Sequence, residues 1–200
     1  VTRAEPGTWT NECALWSTQR GFAETGAFLD SRLYLASCHR FAASKTSDYE
    51  NLAGGNLDDD GLLFAIDSDQ LQQIRWMVNR DGLMIGTISG EYQALGTNDA
   101  PITADNISLK RRTSYGSSTV PPKLVGNAIL FVTRSGRQVR EFVEDPNTLE
   151  GFVAPDLLLL ARHLTERSSE SGTDPTIVDM DYQREPDSRL WCVRSDGVLL

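Results

Sequence analysis

The chain has 200 residues, 40% of them hydrophobic and 24% charged, enough to fill a sizeable core in one large domain or two small ones and too apolar for a disordered chain. Its 19 basic and 28 acidic side chains leave a formal net charge of −9, so the average surface repels nucleic acid and sequence-specific DNA binding is not expected. No apolar run is longer than that from Leu157 to Ala161, which falls far short of the ~20 residues that cross a bilayer, and the N-terminus has no basic region followed by an apolar one, so neither membrane insertion nor secretion is expected.

In chain order, residues 1–20 carry Trp9 and Trp16 with little periodicity and read as a segment wrapping another surface. Phe28 to Ser37 reads as a strand, and Ser44 to Asp60, rich in serine, asparagine, aspartate and glycine, as a loop. Leu62 to Ile66 and Gln73 to Val78 read as short strands, with Asp67-Ser68-Asp69 between them as a short helix start. Leu83 to Thr87 and Glu91 to Ala94 flank a Ser89-Gly90 turn. Residues 96–123, with Pro101, Pro121 and Pro122, read as a long irregular excursion between strands, a length that usually serves a function or packs on a partner. Residues 155–164 are the best helix candidate, with Pro155 near the first turn, Leu157, Leu160, Ala161 and Leu164 on one face, and Arg162-His163 in the last turn. A buried strand is the alternative there. The polar run Thr165 to Pro175 reads as a surface loop.

The organising signal is an internal repeat. Trp76 to Gly82, Leu130 to Gly136 and Trp191 to Gly197 superpose on their final glycine. In each, an apolar run ends in a polar turn: Val78, Val132 and Val193 coincide, Trp76, Leu130 and Trp191 lie two positions earlier on the same strand face, and Asp-Gly or Ser-Gly closes the run. A tight hairpin needs positive φ, which costs glycine little. A second strand follows each turn, the last as Val198-Leu199-Leu200. The spacing exceeds the ~40–50 residues of common propeller blades and suits blades with insertions. Arg32 to Ser37 is an earlier relative without the Asp-Gly turn. Such units cannot bury their own apolar faces and must stack on neighbours. The expected fold is therefore mainly β: a β-propeller or propeller-like array of antiparallel β units with long insertions and one short helix. Residues 1–200 are expected to form part of one such domain, as a piece of a longer chain whose further residues complete the sheet around Val198-Leu199-Leu200.

Residues that bear chemistry are sparse. Cys13, Cys38 and Cys192 are odd in number with no close pair, which argues against a disulfide framework and fits synthesis in a reducing compartment. Cys38-His39 invites a metal or nucleophile reading, but neighbours on a strand face opposite ways and the only other histidine is His163. Asp58-Asp59-Asp60-Gly61 has the charge to attract calcium but lacks the spaced ligands of a calcium loop, and reads as a solvated acidic turn. Gly82 to Thr87 contains two glycines separated by strand residues and is no nucleotide loop. Trp76 and Trp191 read as core. The basic stretches Lys110-Arg111-Arg112 and Arg134, Arg137 and Arg140 read as solvated turn or strand positions. No catalytic, cofactor-binding or metal-binding residue is assigned, no cofactor is implied, and the chain is expected to be non-catalytic.

Several blocks, in order, carry a resemblance: Phe28 to Ala36, Ser47 to Leu52, Ile74 to Val78, Leu83 to Tyr92, Ile102 to Asn106, Arg112 to Gly116, Val125 to Val132, Gly136 to Phe142, Asp156 to Leu164 and Leu190 to Leu199. Together, over roughly residues 19–200, they resemble the central part of the tail nozzle or tail tubular B-like structural proteins of short-tailed phages, some named packaged-DNA stabilisation proteins. Ser37-Cys38-His39 and Arg40 depart from the pattern, where a glycine often follows the strand. The resemblance implies a β-propeller within a larger chain and self-association into a hexameric ring around the tail axis. It also implies docking to the head-tail connector and to a tail fibre or spike, and a place in the virion tail after assembly in the host cytoplasm. An acidic lumen would let DNA pass without adhering, because phosphate contacts create tight binding. The alternative is a glycan-binding or glycan-processing propeller with an acidic loop site, using Asp58 to Asp60 and exposed aromatics such as Tyr49 or Tyr115; a peptide-binding scaffold is the third.

Overall fold

The computed structural model describes residues 16, 21–55, 57–66, 72–148, 151–166 and 174–200. Apart from Trp16, the expected wrapping segment 1–20 lies outside these, as do the helix start at Asp67 to Asp69 and most of the loop after Thr165. The chain divides into two compact units: unit one comprises residues 1–85 and 93–110, and unit two residues 86–92 and 111–200.

Asp30 and Ser31 both adopt positive φ, 48° and 58°. This is the two-residue reversal whose twist matches that of paired strands, and short polar side chains tolerate it best. It breaks the single strand expected from Phe28 to Ser37 into β1 (Thr25–Leu29) and β2 (Arg32–Ser37). A second reversal at Cys38, with φ 53°, and His39 leads to β3 (Arg40–Ala43), followed by β4 (Leu62–Ala65). The sheet order is β1-β2-β3-β4. One face of β2 and β3 buries Tyr34, Ala36, Phe41 and Ala43 completely, and Phe41 packs on Phe64 at 5.3 Å between ring centres. The Tyr34 hydroxyl is buried without a partner, and burial pushes its pKa up to about 12.

The second sheet has the order β5-β6-β7-β8, from β5 (Ile74–Asn79), β6 (Leu83–Thr87), β7 (Glu91–Gly96) and β8 (Ile107–Thr113). β5 buries Ile74 and Trp76, and β6 is buried along its whole length. Strand β8 lies inside the segment 96–123 expected to be irregular. Its exposures do not alternate cleanly, so no period-two signal marked it.

In unit two the third sheet has the order β12-β11-β10-β9, from β9 (Lys123–Val125), β10 (Ala128–Val132), β11 (Val139–Glu144) and β12 (Phe152–Val153). β13 (Ile177–Gln183) and β14 (Arg189–Arg194) form a two-stranded pair. Period-two alternation splits β10: Leu130 and Val132 pack with Val139, Ile177, Met180 and Cys192 in one core. Ile129 and Phe131 face the other way, toward Phe142, itself stacked on Phe152 at 4.9 Å.

The β-propeller expected from the repeat is not what forms. Among the described residues the strands make three four-stranded sheets and one pair, every one open, and none closes into a barrel or propeller. Each sheet pairs only strands adjacent in sequence, so none closes on itself, and the spacing of the hairpins fixed the local units without fixing closure. The third unit also departs from its relatives: Trp76 and Leu130 are buried, whereas Trp191 is half-buried with its indole N–H donating to Gln183 at 2.8 Å, and Val193 is exposed. Val198 to Leu200 turns back on β14, with Leu200 and Cys192 exchanging backbone hydrogen bonds at 2.8 and 3.0 Å.

The helix expected over residues 155–164 is also absent. Glu141 N–H donates to the Pro155 carbonyl and Leu157 N–H to that of Val139, so this backbone is drawn onto the edge of β11. A turn follows, then one 3-10 turn at Arg162–Leu164. A helix would have needed a partner for Leu157 and Leu160, and both are exposed; Leu158 packs on the core instead.

The three aligned glycines do occupy equivalent reversals: Gly82, Gly136 and Gly197 have φ of 94°, 72° and 85°. A Cβ on Gly136 would lie 2.8 Å from the Thr176 Cβ, whereas one on Gly197 would meet nothing within 4 Å. Gly197→Ala should therefore carry only the left-handed backbone cost, roughly 1 kcal/mol. Gly136→Ala adds a steric clash and should lose about 2–3 kcal/mol, read from urea denaturation midpoints.

Candidate functional site

The tip of the β6–β7 hairpin, Thr87 to Gly90, is cross-tied: Thr87 Oγ1 donates to the Gly90 carbonyl at 2.7 Å and accepts from Gly90 N–H at 3.1 Å. Against it lies the turn leaving β8. Ser117 N–H donates to the Thr87 carbonyl at 2.8 Å, and the Arg111 guanidinium donates to the Ser89 carbonyl at 2.6 Å. Gly116, with φ 77°, sits so close that a Cβ there would come 2.3 Å from the Ile88 carbonyl oxygen. Glycine is required at that position on both counts.

Under this turn lies Glu91, fully buried. Its carboxylate accepts from Thr113 Oγ1 at 2.5 Å, from Ser117 Oγ at 2.9 Å, and from the backbone N–H groups of Tyr115 and Gly116. Burial pushes its pKa up, and the four donors pull it partly back. A buried carboxylate with this many partners fixes the loop that receives it.

The fixed loop presents Tyr115, 45% exposed, at a groove of about 430 Å³ whose other walls are Arg140, Phe152 and the chain from Val153 to Pro155. The Arg140 guanidinium lies over the Tyr115 ring at 3.6 Å from its centre, and that of Arg112 over the Phe152 ring at 5.1 Å. Arg140 also donates to the Ala154 carbonyl, and its Nε has no acceptor among the described residues. Among these residues no carboxylate lines the groove. Guanidiniums held over aromatic rings have the chemistry to meet groups both flat and anionic.

The residues weighed from sequence are distributed differently. Cys38 and His39 form a turn rather than a strand, with His39 accepting from Arg40 at 3.4 Å on the surface, and they belong to unit one while His163 belongs to unit two. Cys192 is buried, which pushes its thiol pKa up and away from nucleophile chemistry. Among the described residues no group of histidine, cysteine, aspartate or glutamate is placed to hold a metal ion. Asp60 is not a solvated turn residue: it is buried, pairs with Lys45 at 2.6 Å and accepts from Leu57 N–H, and these partners hold its carboxyl below the usual range. The carbonyls of Asp58 and Asp60 accept from the buried Arg32. Asp30, Asp58 and Asp59 line a separate cavity of about 440 Å³ in unit one.

Tyr115 and the basic residues were visible in the sequence as separate features. Glu91 and the pairing of Arg140 with Tyr115 were not, because no local pattern links positions so far apart. No protein-family model and no curated protein matches the chain.

Glu91→Gln leaves one of the backbone N–H groups of the turn without an acceptor and should cost about 1–3 kcal/mol. The pH dependence has a definite sign. Burial raises the folded pKa above the ordinary 4.5, so the folded state holds this proton more tightly. The stability so gained is present in full below the unfolded value and is lost as pH rises through the folded one. The gap between wild type and Glu91→Gln, measured by urea denaturation at several pH values, should narrow as pH rises from 4 toward neutrality.

Proposed function

We propose that the chain is a non-catalytic structural component of a short-tailed phage tail, which self-associates into a ring, joins the head-tail connector to the distal tail and borders the DNA passage. The order of the resembling sequence blocks carries this reading, supported by where they fall. Phe28 to Ala36 covers the β1–β2 turn and most of β2, Leu83 to Tyr92 covers β6 and the turn into β7, Arg112 to Gly116 the turn held by Glu91, Gly136 to Phe142 the start of β11, and Leu190 to Leu199 most of β14 and its reversal. The reading is thus tied to open sheets joined in series, with free edges and exposed loops for lateral contacts. Exposed Leu157, Leu159 and Leu160 supply apolar area to such contacts. A specific ring interface buries at least ~1,000 Å², so native mass spectrometry of the protein with a head-tail connector protein should record a closed oligomer. A chain that stays strictly monomeric with the connector present overturns the assignment.

One observation favours a glycan-binding or glycan-processing domain instead: the acidic cavity in unit one lined by Asp30, Asp58 and Asp59. Paired carboxylates at a cleft are the raw material of glycoside chemistry. On the structural reading, Asp58→Asn with Asp59→Asn leaves assembly intact and changes stability by no more than ~0.5 kcal/mol per site. Loss of a measurable glycan affinity or hydrolysis in that double variant would move the assignment to the second reading.

A further inference from the structure

The two basic stretches are distant in sequence, and within unit two they converge on one turn. Arg134 N–H donates to the Gly116 carbonyl at 3.0 Å, and its side chain runs past the same glycine. Arg140 lies over Tyr115, and Arg112 over Phe152, which shares the groove. The Arg140 guanidinium thus lies over one exposed aromatic ring and the Arg112 guanidinium over another ring of the same groove, with the Arg134 side chain beside Gly116 of the turn that carries Tyr115, and among the described residues no carboxylate lines the groove of a chain whose net charge is −9. A diffuse positive face would need no further explanation, but two of these guanidiniums are held over rings, and the Glu91 carboxylate locks the turn that the third passes.

We propose that this groove binds single-stranded nucleic acid, with a base stacked on Tyr115 and the phosphodiester backbone tracked by Arg134, Arg140 and Arg112. A base and its flanking phosphates match an exposed ring with arginines beside it, because stacking is tolerant of sequence and guanidiniums take phosphate oxygens in a fork. A carboxylated saccharide can meet the arginines but has no flat aromatic group to lay on Tyr115. A duplex hides its base faces, so Tyr115 has nothing to stack on. The acidic chain supplies no long-range attraction, and affinity therefore rests on short-range contacts within the groove.

The inference does not depend on the tail reading: ring formation is tested with the connector, whereas this site is tested on the chain alone. The measurement is fluorescence anisotropy of a labelled dodecamer of deoxythymidine between 50 and 200 mM salt, with a duplex of the same length and polygalacturonate as competitors. With three phosphates neutralised, log affinity should fall against log salt with a slope of about −2. Tyr115→Ala should weaken binding about tenfold or more. Arg134→Gln changes an exposed side chain, should leave the fold intact by circular dichroism, and should reduce the slope by about 0.7. Absence of binding at 50 mM salt, equal binding by both folded variants, or displacement by polygalacturonate more effectively than by unlabelled oligonucleotide each overturns the proposal, the last in favour of an acidic glycan.

Discussion

Every sheet in this protein pairs strands that are neighbours in sequence, and that constraint forces the chain to reverse within a few residues, again and again. A tight reversal between twisted antiparallel strands needs positive φ. The chain meets the need with glycine at Gly82, Gly136 and Gly197, and with short polar residues at Asp30 and Ser31. Pairing of this kind closes loops of low entropy cost, so each meander can form locally. The same economy leaves every sheet with open edges. Some are covered by irregular backbone, as where Pro155 to Leu157 adds to β11 and Val198 to Leu200 to β14. Covering an edge in this way satisfies its donors and acceptors without adding a full strand.

What was legible in the sequence follows from the same constraint. The aligned glycine turns could be read because the cause is local: one residue type meets one dihedral requirement. The burial of Trp76 and Leu130 could be read because alternation along a strand is local too. Propeller closure could not, because it depends on how separate sheets meet, and no residue near Gly197 encodes that. The failed helix at residues 155–164 shows the other side. Leu157, Leu160, Ala161 and Leu164 have helical spacing, yet the start of β11, which β12 leaves unpaired, offered their neighbours better hydrogen-bond partners than an unsupported short helix, which is marginal alone. Strand β8 went unread since its side chains lack the alternation that marks a half-buried strand.

The groove was hidden for a related reason. Arg140 lies on a strand of one sheet and Tyr115 in a turn after another, and backbone bonds from Arg134 to Gly116 and from Ser118 to Val132 bring their segments together. The residue that holds the arrangement, Glu91, is a single carboxylate in a buried strand, and nothing about the sequence Gly90-Glu91-Tyr92 distinguishes it from an exposed one. Its importance comes from the four donors gathered around it, all of which lie more than twenty residues away. Burying a carboxylate is costly unless every lone pair is engaged. The turn from Thr113 to Ser117 engages them, and in return its conformation is fixed.

Net charge and local charge then act at different ranges, which matters for any chain beside a polyanion. A net charge of −9 gives the average surface a potential that repels phosphate out to about a Debye length, ~8–10 Å, beyond which salt screens it. At contact distance the arginines beside the rings dominate, because a guanidinium already held over a ring gives up little freedom on meeting an anion. A surface so built stays unbound to passing duplex, whose phosphates meet the far field and whose bases offer no face. It engages a strand only where a base is free to reach Tyr115. Selectivity of this kind comes from requiring two features at once, an unstacked base and a phosphate at the right distance from it, and neither a basic patch nor an exposed tyrosine alone would impose it.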